Sequence, residues 1–275
     1  MEGGPASRRR GATLAEPVTP LAIGFFCACV VVWWAGTGVV MLTGRLERRS
    51  VRLWVAALCT LMAGGALWVI AGLPVQPTTW SVGVELLCAL TVWGWVETTL
   101  YTGVLTGPPG PALPEDAGEW ARFVHAFQAN LHHELAIAVA VLATWAASRA
   151  AGGSAFAPGA VLALALMHES ARLNVLLGVR NLNSELLPGH LAHFRIYFRE
   201  RSMNWFFPVA LGAHAVGAAW LGVLAATAAS AGLAAMATGW GLLAGLVALG
   251  FLEHLALMLP FRPEMLWGWA MGGAR

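Results

Sequence analysis

The stretch LAIGFFCACVVVWWAGTGVVML, Leu21–Leu42, runs without one charged side chain. About 20 consecutive apolar residues in helical form cross the hydrocarbon core of a bilayer. Six more stretches of this kind follow, at roughly Leu53–Leu73, Val82–Leu105, Phe127–Ala147, Phe156–Leu177, Phe206–Ala228 and Leu233–Leu259. In lipid, backbone N–H and C=O groups must bond within the segment itself, which favours helices. The expected fold is all-α: a polytopic membrane helix bundle of about seven transmembrane helices, with lipid as its first partner.

Composition agrees. Of 275 residues, 58% are hydrophobic and 11% charged, where soluble chains carry about 25% charged residues. Lysine is absent and Asp116 is the only aspartate. These values exclude a soluble enzyme and a disordered chain. A net charge of +2 with scattered arginines also excludes a nucleic-acid partner, which needs a broad basic face. Cys27, Cys29, Cys59 and Cys88 lie inside apolar runs without a CxxC pattern, and read as small packing hydrophobes. Residues 1–20 are polar, with Pro5, Pro17 and Pro20. They read as a flexible N-terminal tail, not a cleaved signal, because the first apolar run is long enough to span. Residues 21–260 form the bundle, and 261–275 a C-terminal tail.

Arginine placement sets the expected orientation. With seven spans, one side collects Arg8, Arg9, Arg10 and Arg149, and the other collects eleven arginines from Arg45 to Arg275. The arginine-rich side is expected to be cytoplasmic. The N-terminus is then outside and the C-terminus inside a bacterial inner membrane. Two connections on that side are long. The proline-rich Thr106–Val124 stretch predicts an irregular loop. In the segment 180–204, Leu191, Phe194, Tyr197 and Phe198 recur at helical spacing, which predicts a cytoplasmic interfacial helix.

Ionisable side chains at membrane depth are expensive and need a partner or a job. The third span carries Glu97, the fourth His132, His133 and Glu134, the fifth His168, Glu169, Arg172 and Asn174, and the seventh Glu253 and His254. Counted at about 1.5 Å per residue, four helices place these groups within roughly one turn of one level, about five to nine residues from the arginine-rich end. Glu85 falls near the opposite surface, where water is expected to solvate it. Three readings of the shared level stay open. Carboxylate and imidazole from four helices are the donors of di-iron bundles, with Glu97, His133, Glu134, His168, Glu169, Glu253 and His254 as candidate ligands. The Glu-x-x-His spacing of such bundles is missing; here Glu and His are adjacent and point about 100° apart. The second reading is a bacteriochlorophyll-type tetrapyrrole, with His132, His190, Arg172 and Asn174 as candidate contacts. The third is a buried hydrogen-bonded network, in which Glu169 and Arg172 pair at i,i+3. Signatures of nucleophilic catalysis and nucleotide binding are absent.

Several unusual stretches resemble one family. They are Trp33-Trp34 with Thr37-Gly38, then Val92-Trp93-Gly94-Trp95 with Glu97, and Thr102-Gly103 with Thr106-Gly107-Pro108. His133-Glu134-Leu135-Ala136 follows. The densest run is Arg172-Leu173-Asn174, Leu177-Gly178-Val179, Asn181-Leu182-Asn183, Glu185, Leu187-Pro188 and His190-Leu191. Tyr197-Phe198-Arg199, Met203-Asn204, Phe207-Pro208, Glu253-His254 and Leu259-Pro260 close the set. Over residues 21 to 270 the chain resembles the photosynthetic complex assembly protein 2 (PuhE) family of phototrophic bacteria. In that family a His commonly precedes the glutamate matching Glu97, where this chain has Val96. The resemblance implies an integral-membrane assembly factor for the bacterial photosynthetic reaction centre and bacteriochlorophyll complexes, in the intracytoplasmic photosynthetic membrane. Its implied partners are reaction-centre or bacteriochlorophyll-synthesis proteins. The resemblance leaves catalytic activity open. The alternative is a metal-dependent membrane oxidoreductase acting on a bacteriochlorophyll precursor through the Glu/His level.

Overall fold

The computed structural model describes residues 20–108, 113–114, 116–150, 152–182, 184, 187–259 and 264–271. The tail expected over residues 1–20 lies outside them, apart from Pro20. Among the described residues there are nine α-helices and no strand. Seven are long and apolar enough to cross a membrane. These are α1 (Pro20–Thr43), α2 (Arg49–Ala71), α3 (Thr79–Tyr101), α5 (Leu131–Ala150), α6 (Phe156–Leu177), α7 (Phe206–Ser230) and α8 (Ala234–Ala256). The two short ones are α4 (Glu119–Ala129) and α9 (Glu264–Met271). The expected seven-helix membrane bundle is the observed one.

Helices α3 and α6 occupy the centre. Helix α3 packs on α1, α2, α5, α6 and α8, and α6 packs on α3, α5, α7 and α8. They are the two most buried spans, and α7 is the least buried. This explains where the sequence tolerates polar groups: spans surrounded by protein need not satisfy lipid. The apolar core joins Val82, Leu86, Ala89 and Val96 of α3 to Ala157, Ala160, Val161 and Leu164 of α6. The alanines among them, Ala89, Ala157 and Ala160, are small enough to let the two backbones approach.

The arginine-rich side departs from expectation in three places. The loop expected through Val124 instead forms α4, which lays Ala126 and Ala129 against Leu176 and Tyr197. Helix α4 stops at Asn130, and α5 starts anew because the Thr106 carbonyl accepts the His132 and His133 amides at 2.8 and 3.1 Å. That approach requires Gly107, since a Cβ there would lie 2.3 Å from the Ala129 carbonyl oxygen. The interfacial helix is present but tightly wound, a 3-10 segment over Gly189–Tyr197. Its inward residues Leu191 and Tyr197 are buried as the spacing suggested.

The third difference is α9, within the stretch expected as a tail. It packs on α1. Trp34 Nε1 donates to the Leu266 carbonyl at 3.1 Å, and Trp267 Nε1 donates to the Trp34 carbonyl at 3.0 Å. Trp269 covers Gly38, where a Cβ would sit 2.1 Å from its ring. Trp33 and Trp34 therefore lie mid-span, where they clasp a helix, and not at a membrane interface.

Candidate functional site

The shared polar level is real, but it divides into three groups. The first lies among α3, α5 and α6. His168 Nδ1 sits 3.0 Å from Glu97 Oε1, and His168 Nε2 faces His133 Nε2 at 3.3 Å. Trp93 meets the His168 ring edge-on at 5.7 Å. Because the carboxylate accepts, Nδ1 of His168 carries a proton. The second contact needs another proton between the two Nε2 atoms, on His168 as imidazolium or on His133 as the Nε2–H tautomer. His133 is 0% exposed and its Nδ1 has no hydrogen-bond partner.

The second group is ionic. Arg172 of α6 pairs with Glu134 of α5 and, at 2.9 Å, with Glu169 one turn earlier. Asn130 donates to Glu134 at 3.0 Å. The i,i+3 pair read from spacing is thus present, and one guanidinium serves two carboxylates. Arg172 occupies one oxygen of each carboxylate, and the other oxygen of Glu169, Oε1, has no hydrogen-bond partner among the described residues.

The third group separates Glu253 from His254, as a 100° turn between neighbours dictates. His254 is 1% exposed. Its Nδ1–H donates to the Gly250 carbonyl and its Nε2 accepts from Ser170 Oγ, both at 2.8 Å. Its ring lies on His214, with centroids 4.2 Å apart. Glu253 points the other way, into a cavity beside Trp33. Among the described residues no set of three or more His, Cys, Asp or Glu side chains is disposed to hold a metal ion.

The candidate cofactor contacts also separate. His132 is exposed at the start of α5. Arg172 is engaged as above. Asn174 is 0% exposed and belongs to a scaffold node. Asn204 Nδ2 approaches the Asn174 carbonyl at 3.2 Å, Asn174 Oδ1 at 3.1 Å and the Gly178 carbonyl at 2.8 Å. Asn204 Oδ1 accepts the first amides of α7, from Phe206 and Phe207, at 2.9 Å each. Asn181 adds bonds to the carbonyl end of α8 at Ala256 and Leu257. The oddly polar Asn-rich stretch ties α6, α7 and α8 together where their ends would otherwise leave unpaired backbone groups.

His190 alone of these four lines the cavity. It encloses about 1290 Å³ on the arginine-rich side. Its deep wall is Trp33, Leu249, Leu252 and Glu253; its roof is residues 187–190; its flank is Leu266, Trp267 and Ala270 of α9. Arg45, Glu47 and Arg52 stand at its mouth. Phe26 packs on Gly245 toward the other side of the bundle, while nearer the arginine-rich end α9 stands against α1.

Sequence reasoning missed this chamber, whose α9 wall sits beyond the last apolar run. The repeated aromatic pattern Trp33-Trp34 and Trp267-x-Trp269 was the available signal. It also misread Glu85. That carboxylate is 4% exposed, accepts from Ser154 Oγ and accepts the Ala157 amide at 3.1 Å. Glu85 caps the start of α6 from a neighbouring helix, a negative charge where the helix dipole favours one.

No solved structure matches the chain. It is 30% identical over 249 residues to a Rhodobacter capsulatus protein described as an uncharacterized 30.4 kDa protein in the puhA 5' region, covering 88% of each chain. Residues 21–275 match the family described as "Protein of unknown function (DUF3623)". The match takes in all seven spans, the Asn174–Asn204 node and the chamber walls, and the chain belongs to the DUF3623 family.

Proposed function

We propose that this chain is an integral-membrane assembly factor for the bacterial photosynthetic reaction centre and its bacteriochlorophyll complexes. In this reading it holds a tetrapyrrole in its chamber while those complexes are built, as a PuhE protein of the inner membrane. The chamber carries the reading. At about 1290 Å³ it exceeds the roughly 300–1,000 Å³ of ordinary small-molecule sites, and its walls are aromatic and aliphatic. The relative's place in the puhA 5' region supports the photosynthetic setting. The roof and the 3-10 segment Gly189–Tyr197 form the surface for reaction-centre or pigment-synthesis proteins.

Deletion of the gene in a phototrophic host tests this. The expected result is a loss of near-infrared absorbance from assembled complexes, restored by the wild-type chain but not by Leu249→Trp, which narrows the chamber's deep end. Normal complexes in the deletion strain would end the proposal. Equal rescue by Leu249→Trp would remove the chamber from it.

One observation favours a metal-dependent oxidoreductase as the second reading. A metal-binding His usually gives its other ring N–H to a carboxylate, as His168 does to Glu97. Two imidazole nitrogens on one tetrahedral ion, each about 2.0–2.1 Å from it, stand about 3.3 Å apart, close to the His133–His168 separation. Iron, manganese and zinc per chain, measured on protein purified in mild detergent, decide it. A stoichiometric metal lost in His133→Ala supports this reading, and a folded, active, metal-free protein refutes it.

A further inference from the structure

The mouth of the chamber differs chemically from its interior. Arg45 and Arg52 stand at the mouth, and Trp33, Leu249, Leu252 and Trp267 wall the interior, where Glu253 is the acidic member. Among the described residues neither guanidinium pairs with a carboxylate. The Nε of Arg52 is buried with no hydrogen-bond partner. That nitrogen is covered by protein; what the mouth offers an acceptor is these two guanidinium groups without a carboxylate partner, each a set of charged donors.

The neighbouring His190 does not compete for that role. Its Nε2 is engaged with the Tyr101 carbonyl at 2.9 Å. Burial first, then Arg52 and His193, hold its imidazole below the ordinary histidine range despite that bond. Fixed positive charge at the mouth therefore comes from the arginines, offset in part by Glu47. From Trp33 to the end of α1 at Thr43 the wall runs about 15 Å at 1.5 Å per residue. The deep end offers the edge-to-face pair Trp33 and Trp267, with centroids 5.9 Å apart.

We infer that the chamber selects an amphiphile with a free carboxylate, bound with that group at Arg45 and Arg52 and its planar apolar body against Trp33 and Trp267. The inference rests on the tetrapyrrole reading of the chamber and narrows it to tetrapyrroles whose propionate is not esterified. A guanidinium recognises a carboxylate by two parallel charge-assisted hydrogen bonds, which an ester cannot reproduce.

Full-length protein in phosphatidylcholine nanodiscs, titrated with zinc protoporphyrin IX or with its dimethyl ester, tests the inference. Tryptophan quenching and the Soret shift report binding. The acid is expected to bind about tenfold or more tightly than the ester, the scale of a charged hydrogen bond. Arg45→Met with Arg52→Met is expected to bring acid and ester to equal affinity, whereas Arg52→Lys keeps part of the preference. The wild-type comparison stands even if a variant fails to fold. Equal affinity for acid and ester overturns this inference and leaves the tetrapyrrole chamber intact. Binding of neither probe overturns both. Loss of acid binding when the nanodiscs contain phosphatidylglycerol assigns the arginines to a lipid headgroup and likewise overturns the inference.

Discussion

His133 and His168 meet nitrogen to nitrogen at 3.3 Å, and of the two only His168 has a carboxylate behind it. The arrangement is directional: Glu97 fixes one proton on His168, and His168 presents its far nitrogen to a ring with no other partner. A double-mutant cycle with Glu97→Gln and His168→Asn should give a coupling of about 1–2 kcal/mol. That exceeds the roughly 0.6 kcal/mol average for hydrogen bonds between membrane helices. Coupling near zero, measured by detergent unfolding, would mean the two side chains act independently.

Glu85 predicts an effect confined to the opposite end. Glu85→Ala strands Ser154 and the Ala157 amide, and should lower stability by about 1–3 kcal/mol. Glu85→Gln retains an acceptor and should cost less. The zinc protoporphyrin IX titration described above should read the same in both variants as in wild type, because the cap stands far from Arg45 and Arg52. A binding defect at normal stability would show that the two ends communicate.

Asn204 predicts a larger loss. Asn204→Ala frees the first amides of α7 and the last carbonyls of α6 together, and a lost helix cap alone costs about 1 kcal/mol, up to about 2. Asn204→Asp keeps the acceptor for Phe206 and Phe207 but loses the donors to Asn174 and Gly178. Its stability should fall between wild type and Asn204→Ala. If Asp behaves as Ala does, the donor half carries the node.

His190 predicts a pH response. Its imidazole titrates below the ordinary value in the fold, near 6.5 when unfolded. Above pH 6.5 both states are neutral and pH has no leverage through this residue. As pH falls below 6.5 the unfolded chain takes up the proton first, so stability drops until the folded-state value is reached. The protection of backbone amides in the 3-10 segment, taken relative to their intrinsic exchange rates, should fall between pH 7 and pH 5. His190→Asn, which retains an N–H for the Tyr101 carbonyl, should flatten the response.

Gly38→Ala predicts loss of the chamber's flank. The added methyl meets the Trp269 ring, so α9 must shift from α1 while the spans stay in place. Proteolysis near residue 264 should accelerate with little change in the unfolding midpoint of the bundle. A variant as resistant as wild type would mean that Trp269 yields without moving the helix.

The bundle was legible because span length and hydrophobicity are set by the bilayer, and all seven long apolar helices fall on the apolar runs. Depth counting along helices also worked, since rise per residue is fixed, and it picked the level shared by Glu97, His133, His168 and Glu253. Facing was not legible. Adjacent Glu and His must diverge, but which neighbour each meets depends on packing, and so Glu253 and His254 serve different surroundings. Glu85 was misread because depth says nothing of a cap offered by another helix. Helix α9 escaped because eight residues are too short for a span and its anchors are 230 positions away in the chain.

The flank formed by α9 turns Trp267 and Ala270 inward while Met265 and Trp269 remain exposed to the outside. Among the described residues α9 thus stands between this flank of the chamber and the outside. A greasy molecule admitted through that partition would travel from membrane to protein without ever meeting water. It would avoid the hydration cost of about 25 cal/mol for each Å² of apolar surface. Traffic along such a route is lateral and two-dimensional, and its rate would follow the composition of the lipid rather than the concentration of anything dissolved.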